Sequence, residues 1–121
     1  MANPVENPQV GQDYWLTWWL TTGKTPHVLL QVWKVKALYI DADHADSRRG
    51  APCVCAPIDP MGFTQGNSVD AYTNDLYATR ADALAALKDK FTKAWDELMS
   101  RNEEMENLGD GSRVNMSAAY L

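Results

Sequence analysis

Asn74-Asp75-Leu76-Tyr77-Ala78-Thr79-Arg80-Ala81-Asp82 is where the chain changes period. Before Thr79, apolar and polar residues alternate in twos, as along a strand. From Arg80 onward, apolar residues return every three or four positions, as along an amphipathic helix. Thr79 and Asp82 form a Thr-x-x-Asp start signal. A hydroxyl at the N-cap satisfies an early backbone N–H, and an acid at the third helical position sits near the positive end of the helix dipole. The stretch predicts a sheet finished before Thr79 and a helix that begins there.

Toward the C-terminus, Leu84, Leu87, Phe91, Trp95 and Leu98 make one stripe, which predicts a single long helix. Asn102 falls on the next stripe position, so the packed helix is expected to end near Arg101. A solvated extension to Asn107 would then stop at Gly109 and Gly111. Residues 109–121 read as a tail, apolar enough at Met-Ser-Ala-Ala-Tyr-Leu to dock on the domain. Toward the N-terminus, strands are expected at 71–78, 52–58, 27–41 and 13–20, after an extended arm at 1–12. Gly23 and Pro26 mark a turn, residues 41–50 a polar loop, and Pro60, Gly62 and Gly66 a second loop.

The first two strands are bulky on both faces. Tyr14, Leu16, Trp18 and Leu20 share one side, and Trp15, Thr17 and Trp19 the other. In the second strand, apolar dominance moves from Val28, Leu30 and Val32 to Val35, Ala37 and Tyr39, which predicts a bend or bulge near its middle. The expected fold is α+β: one domain over residues 13–108, with a small curled antiparallel sheet of four to five strands followed by one long C-terminal helix. An SH3-like half-barrel is the expected topology; a ferredoxin-like one lacks its second helix. A lone helix covers one face of such a sheet, so the other needs barrel closure, the tail or a second copy of the chain as cover. The last of these makes a homodimer one expectation.

The chain has 121 residues, five of them Trp, and a net charge of -5. That length suits one domain with a core of its own. Acidity with only Lys34, Lys36, Arg48 and Arg49 concentrated locally argues against direct nucleic-acid binding, which rests on cations that displace phosphate counterions. It suits a protein partner with a basic surface. No apolar run predicts a membrane span, and the first residues do not resemble a signal peptide. Cys53 and Cys55, two apart on a strand, stand ~6.6 Å from each other along the backbone, too far to bridge easily. Free thiols suit a cytoplasmic location. The sequon at Asn115-Met116-Ser117 carries meaning only in a secreted chain.

No motif supplies chemistry. Gly23-Lys24-Thr25 lacks the earlier Gly and the following helix of a phosphate loop. Asp41, Asp43, His44 and Asp46 fail the calcium-loop pattern at Ala45 and Pro52, so they read as a solvated acidic loop. His44 with Cys53 and Cys55 matches no zinc spacing. Neither histidine, His27 or His44, stands in a nucleophile motif. No cofactor and no catalytic residue is expected.

Two surfaces remain. Asp82, Asp89, Asp96 and Glu103 recur every seven residues and would form an acidic ridge on one helix. Trp15 and Trp19 would join it as contacts for a protein partner. The first functional expectation is thus a small acidic, non-enzymatic binding protein. Accessory and inhibitor proteins, including those carried by bacteriophages, have this profile. Alternatives are a small-molecule binder lined by Tyr14, Trp18, Trp33 and Tyr39 at a sheet or dimer interface, and a metal-assisted enzyme using the loop from Asp41 to Asp46.

Overall fold

The computed structural model describes residues 3–22, 27–59, 61–64, 66–100 and 113–118. It is α+β. Six strands, β1 (Asp13–Thr22), β2 (His27–Ile40), β3 (Pro52–Pro57), β4 (Val69–Tyr72), β5 (Leu76–Tyr77) and β6 (Arg113–Ala118), form one sheet. All the pairings are antiparallel. Two helices, α1 (Arg80–Lys90) and α2 (Thr92–Met99), lie between β5 and β6.

Strand order runs β4-β3-β2-β1-β5, with β6 also on β2. β2 is long enough to serve two neighbours along one edge. Residues 28–33 pair with β6 and residues 35–40 with β3, while β1 occupies the opposite edge. The expected irregularity is a register shift between Ala37 and Tyr39, nearer the end of β2 than its middle.

β4 and β5 stand at opposite ends of this order, yet only a 3-10 turn, Thr73–Asp75, separates them in sequence. Four inter-strand steps of a flat sheet would span ~19 Å, and four residue steps of chain reach only ~14 Å. Both pairings are satisfied because the sheet curls. Its inner side gathers Leu16, Val35, Ala37, Cys55 and Leu76, all without measurable exposure, with Tyr14, Cys53 and Ala71 close behind. Each large apolar side chain buried in this way contributes about 1.5–3 kcal/mol. The arm adds to the cover: Val5 packs on the cluster and its N–H donates to the Leu76 carbonyl at 2.9 Å. Much of the face that the helices leave unshielded is thus covered by the chain itself, while Leu20 on that face stays exposed.

The outer side of β1 and β2 carries the helices. Val28, Leu30, Val32 and Tyr77 pack there with Ala83, Leu87, Ala94 and Trp95. Thr79 caps α1 as expected, its hydroxyl accepting from the Asp82 N–H at 3.1 Å.

Three expectations change. The single long helix is two helices broken at Phe91, whose φ of -122° and ψ of 55° leave the helical region. The Thr92 hydroxyl donates to the carbonyls of Lys88 and Asp89 across the break, a known way to bend a helix. The single strand expected at 71–78 is β4, the 3-10 turn and β5. Residues 113–118, read as part of a tail, are a strand of the sheet. The turn at 23–26, the helix extension beyond Ser100, Gly109 and Gly111 lie outside the described residues.

Candidate functional site

The 3-10 turn that closes the sheet also holds the loop between β2 and β3. The Thr73 N–H donates to the Ala51 carbonyl, and the Ala51 N–H donates to the Thr73 hydroxyl, both at 2.9 Å. Asn74 donates to the Arg49 carbonyl through its N–H at 3.1 Å and to the Arg48 carbonyl through its side chain at 3.0 Å. Gly50 makes this approach possible. Its φ is +79°, and a Cβ there would collide with the Thr73 hydroxyl and stand 2.8 Å from Asn74 Oδ1. Asp46 adds a turn contact by accepting from the Arg48 N–H at 2.6 Å. The result is a fixed backbone under two exposed arginines.

Those arginines border a cleft of about 500 Å³ between β1, β4, the 3-10 turn and α1. Trp18, Trp19 and Tyr72 supply aromatic surface, and Arg48, Arg49 and Lys90 supply positive charge. The Arg49 guanidinium carbon stands 5.3 Å from the Tyr72 ring centre. The Lys90 ammonium stands 3.6 Å from that of Trp19, whose ring also meets Phe91 at 5.6 Å. A cation held over an aromatic face keeps its charge while its position is restrained.

Asp70 and Asp75 also line the cleft. Burial pushes the Asp75 carboxyl above its ordinary range, opposed by the charges of Lys90 and Arg49. The Tyr77 phenol is raised as well, first by burial and then by Asp75 and Asp89. The Asp75 carbonyl meets the Thr17 hydroxyl at 3.5 Å, where β1 passes the turn.

One edge of β1 is only partly paired by the described residues. β1 pairs with β2 from Asp13 to Thr22, but with β5 only at Trp15 and Leu16. Among the described residues, no strand pairs with that edge beyond Leu16.

The sequence-based sites are dispersed. Trp19 reaches the cleft. Trp15 packs beneath the helices. Asp82 lies in the first turn of α1, Asp89 near its end and Asp96 in α2 beyond the break, and none of the three lines the cleft. Because the helix is interrupted, the ridge of Asp82, Asp89 and Asp96 does not run along one continuous helix. Glu103 lies outside the described residues.

Of the residues suggested for a small-molecule site, Trp18 and Trp33 stack with ring centres 5.9 Å apart. Tyr14 is buried in the sheet interior, its hydroxyl accepting from the Gln9 N–H at 2.7 Å. Tyr39 is exposed and pairs with Val54 across the register shift, away from that cluster. Tyr14, Trp18 and Trp33 thus share one apolar cluster, and Tyr39 is not part of it. In the loop from Asp41 to Asp46, His44 Nδ1 contacts Asp41 Oδ2 at 2.7 Å. No group of three metal-ligating side chains occurs among the described residues.

Cys53 and Cys55 are buried and unbonded, with sulfurs 3.9 Å apart. Their contact, assisted by burial, holds the Cys55 thiol protonated. No helix among the described residues is long and apolar enough to cross a membrane.

Sequence reasoning missed Arg48, Arg49 and Lys90 as one group. The first two appear as a weak basic pair, and nothing in their spacing joins them to Lys90. No family model, curated protein or solved structure matches the chain.

Proposed function

We propose that this chain is a non-enzymatic binding protein that acts through protein–protein contact, and that the contact is made in the cleft. The observation that carries this reading is the convergence of Trp18, Trp19 and Tyr72 with Arg48, Arg49 and Lys90 on one concave surface. Trp, Tyr and Arg are the side chains that most often carry binding energy at protein interfaces. The cleft's lining offers aromatic faces and fixed cations rather than a nucleophile beside a base. The unbonded thiols fit a reducing, cytoplasmic setting.

The fold supports the same reading by analogy. A strand order of β5-β1-β2-β3-β4, a long shared second strand and a 3-10 turn just before β5 together suggest an SH3-like half-barrel. Barrels of that type take extended peptides in aromatic-lined grooves. The analogy concerns architecture, and the function rests on the site.

Peptide-display selection against the purified full-length chain tests the proposal. Enriched peptides are expected to bind about thirtyfold more weakly when Arg49→Ala and Lys90→Ala are combined, because two favourable contacts of roughly 1 kcal/mol are removed. Both side chains are exposed, so the fold should survive. Selected peptides that bind the double variant as tightly as the parent would overturn the proposal.

A further inference from the structure

The partly paired edge of β1 indicates how the cleft would hold its partner. We infer that the occupant is an extended acidic segment of the partner protein, added as a further strand on β1 beyond Leu16, in line with β5. This inference rests on the reading of the cleft as a protein-docking site.

The backbone supplies the first reason. In an antiparallel pair, every second residue turns its N–H and C=O away from its partner strand. β1 pairs with β2 through Thr22, and Asp75 stands against Thr17, so alternate residues from Trp18 onward present both groups to the unpaired side. An unpaired edge of this kind is a template for another strand. At ~3.3 Å per residue, the edge beyond Leu16 offers room for roughly 4–5 added residues.

The cleft supplies the second. It lies at that edge, since Thr17, Trp18 and Trp19 are part of its lining. A segment placed there would lie between the end of α1 and the loop held by Thr73 and Asn74. Extended chains dock in this way through main-chain hydrogen bonds, while alternate side chains enter flanking pockets.

Charge supplies the third. The chain as a whole carries -5, yet the cleft brings three cations together with two acids. One of those acids, Asp75, faces Lys90 and Arg49, whose charges oppose the upward push of burial on its carboxyl. Lys90 and the pair Arg48 and Arg49 come from different elements, so acidic side chains on either face of an added strand would meet a cation. A basic segment would meet three like charges, which disfavours it.

The test uses the full chain, labelled with ¹⁵N, and three short capped peptides. One alternates Glu and Val, a second replaces Glu by Lys, and the third is the Glu–Val peptide with alternate backbone amides N-methylated along one edge. The Glu–Val peptide should bind and slow amide exchange on β1 beyond Leu16. N-methylation should weaken binding about tenfold or more, through loss of main-chain hydrogen bonds. The Lys peptide should not bind, and Arg49→Glu should reduce capture of the Glu–Val peptide.

Equal binding of the N-methylated peptide, with shifts at the cleft, would overturn strand addition and leave the docking site standing. Equal binding of the Glu and Lys peptides would overturn the acidic preference. Absence of cleft shifts with these peptides, while display-selected peptides do shift the cleft, would overturn the inference alone. Absence with both sets would remove the docking site too.

Discussion

The ammonium nitrogen of Lys90 stands 3.6 Å from the ring centre of Trp19, which joins the last residue of α1 to β1 beside its partly paired edge. The packing of α1 on the sheet, where Leu87 and Trp19 share one apolar cluster, places it there. α1 stops at Lys90, Phe91 leaves the helical conformation, and its ring meets Trp19 from another direction. The last turns of α1, through Ala86, Leu87 and Lys90, form one wall of the cleft.

Lys90→Met keeps the stem and removes the charge. An exposed cation–π contact is worth about 0.5–1 kcal/mol, so the variant should lose no more than that in urea denaturation. Its binding of display-selected peptides should fall by about threefold to tenfold, the equivalent of losing one charged contact. A larger loss of stability would mean that Lys90 is structural first.

Gly50→Ala forces a side chain into the left-handed region and into the space of Thr73 and Asn74. The combined strain and collision should cost about 2–4 kcal/mol in chemical denaturation. Thr73→Val, which leaves the Ala51 N–H without its acceptor, should cost about 1–2 kcal/mol. If Gly50→Ala is neutral, the loop does not approach the 3-10 turn as described.

Asp75→Asn tests the half-buried carboxyl. Because burial raises its folded-state pKa above the unfolded value, the native state holds this proton to higher pH than the unfolded chain does. Its contribution to stability is therefore highest below the unfolded pKa, near 4, and falls as pH rises through the elevated value. The variant should lack that fall, so its midpoint relative to the parent should improve from acid toward neutral pH. It should also bind acidic peptides more tightly at neutral pH. A parent stability that rises over this interval, relative to the variant, would reverse the assigned sign.

Thr79→Ala removes the helix cap and should cost about 1 kcal/mol in thermal or urea unfolding, with Thr79→Ser recovering most of it.

Local chemistry made part of this architecture legible. Thr79 and Asp82 marked the start of α1, and the alternation at Tyr14, Leu16 and Trp18 separated the two faces of β1 correctly. The rest depends on contacts between distant segments. The alternation from Ala71 to Tyr77 continues through Thr73 and Asn74, so nothing local shows that the chain crosses from one edge of the sheet to the other. Phe91 fits the apolar stripe, and the break shows only in how Thr92 bonds back to the preceding carbonyls. Residues 113–118 form a strand only because β2 extends past β3. The cleft joins β1, the loop at Arg48 and Arg49, β4 and the end of α1, and no spacing rule connects those four.

Chemical-shift mapping with the tightest display-selected peptide tests the docking site most directly. Amide shifts should concentrate at Thr17, Trp18 and Trp19, at Arg48 and Arg49, from Tyr72 to Asp75, and at Lys90. Shifts centred instead on the exposed Met61 and Phe63, or around Tyr39, would contradict the account and place the working surface elsewhere on the molecule.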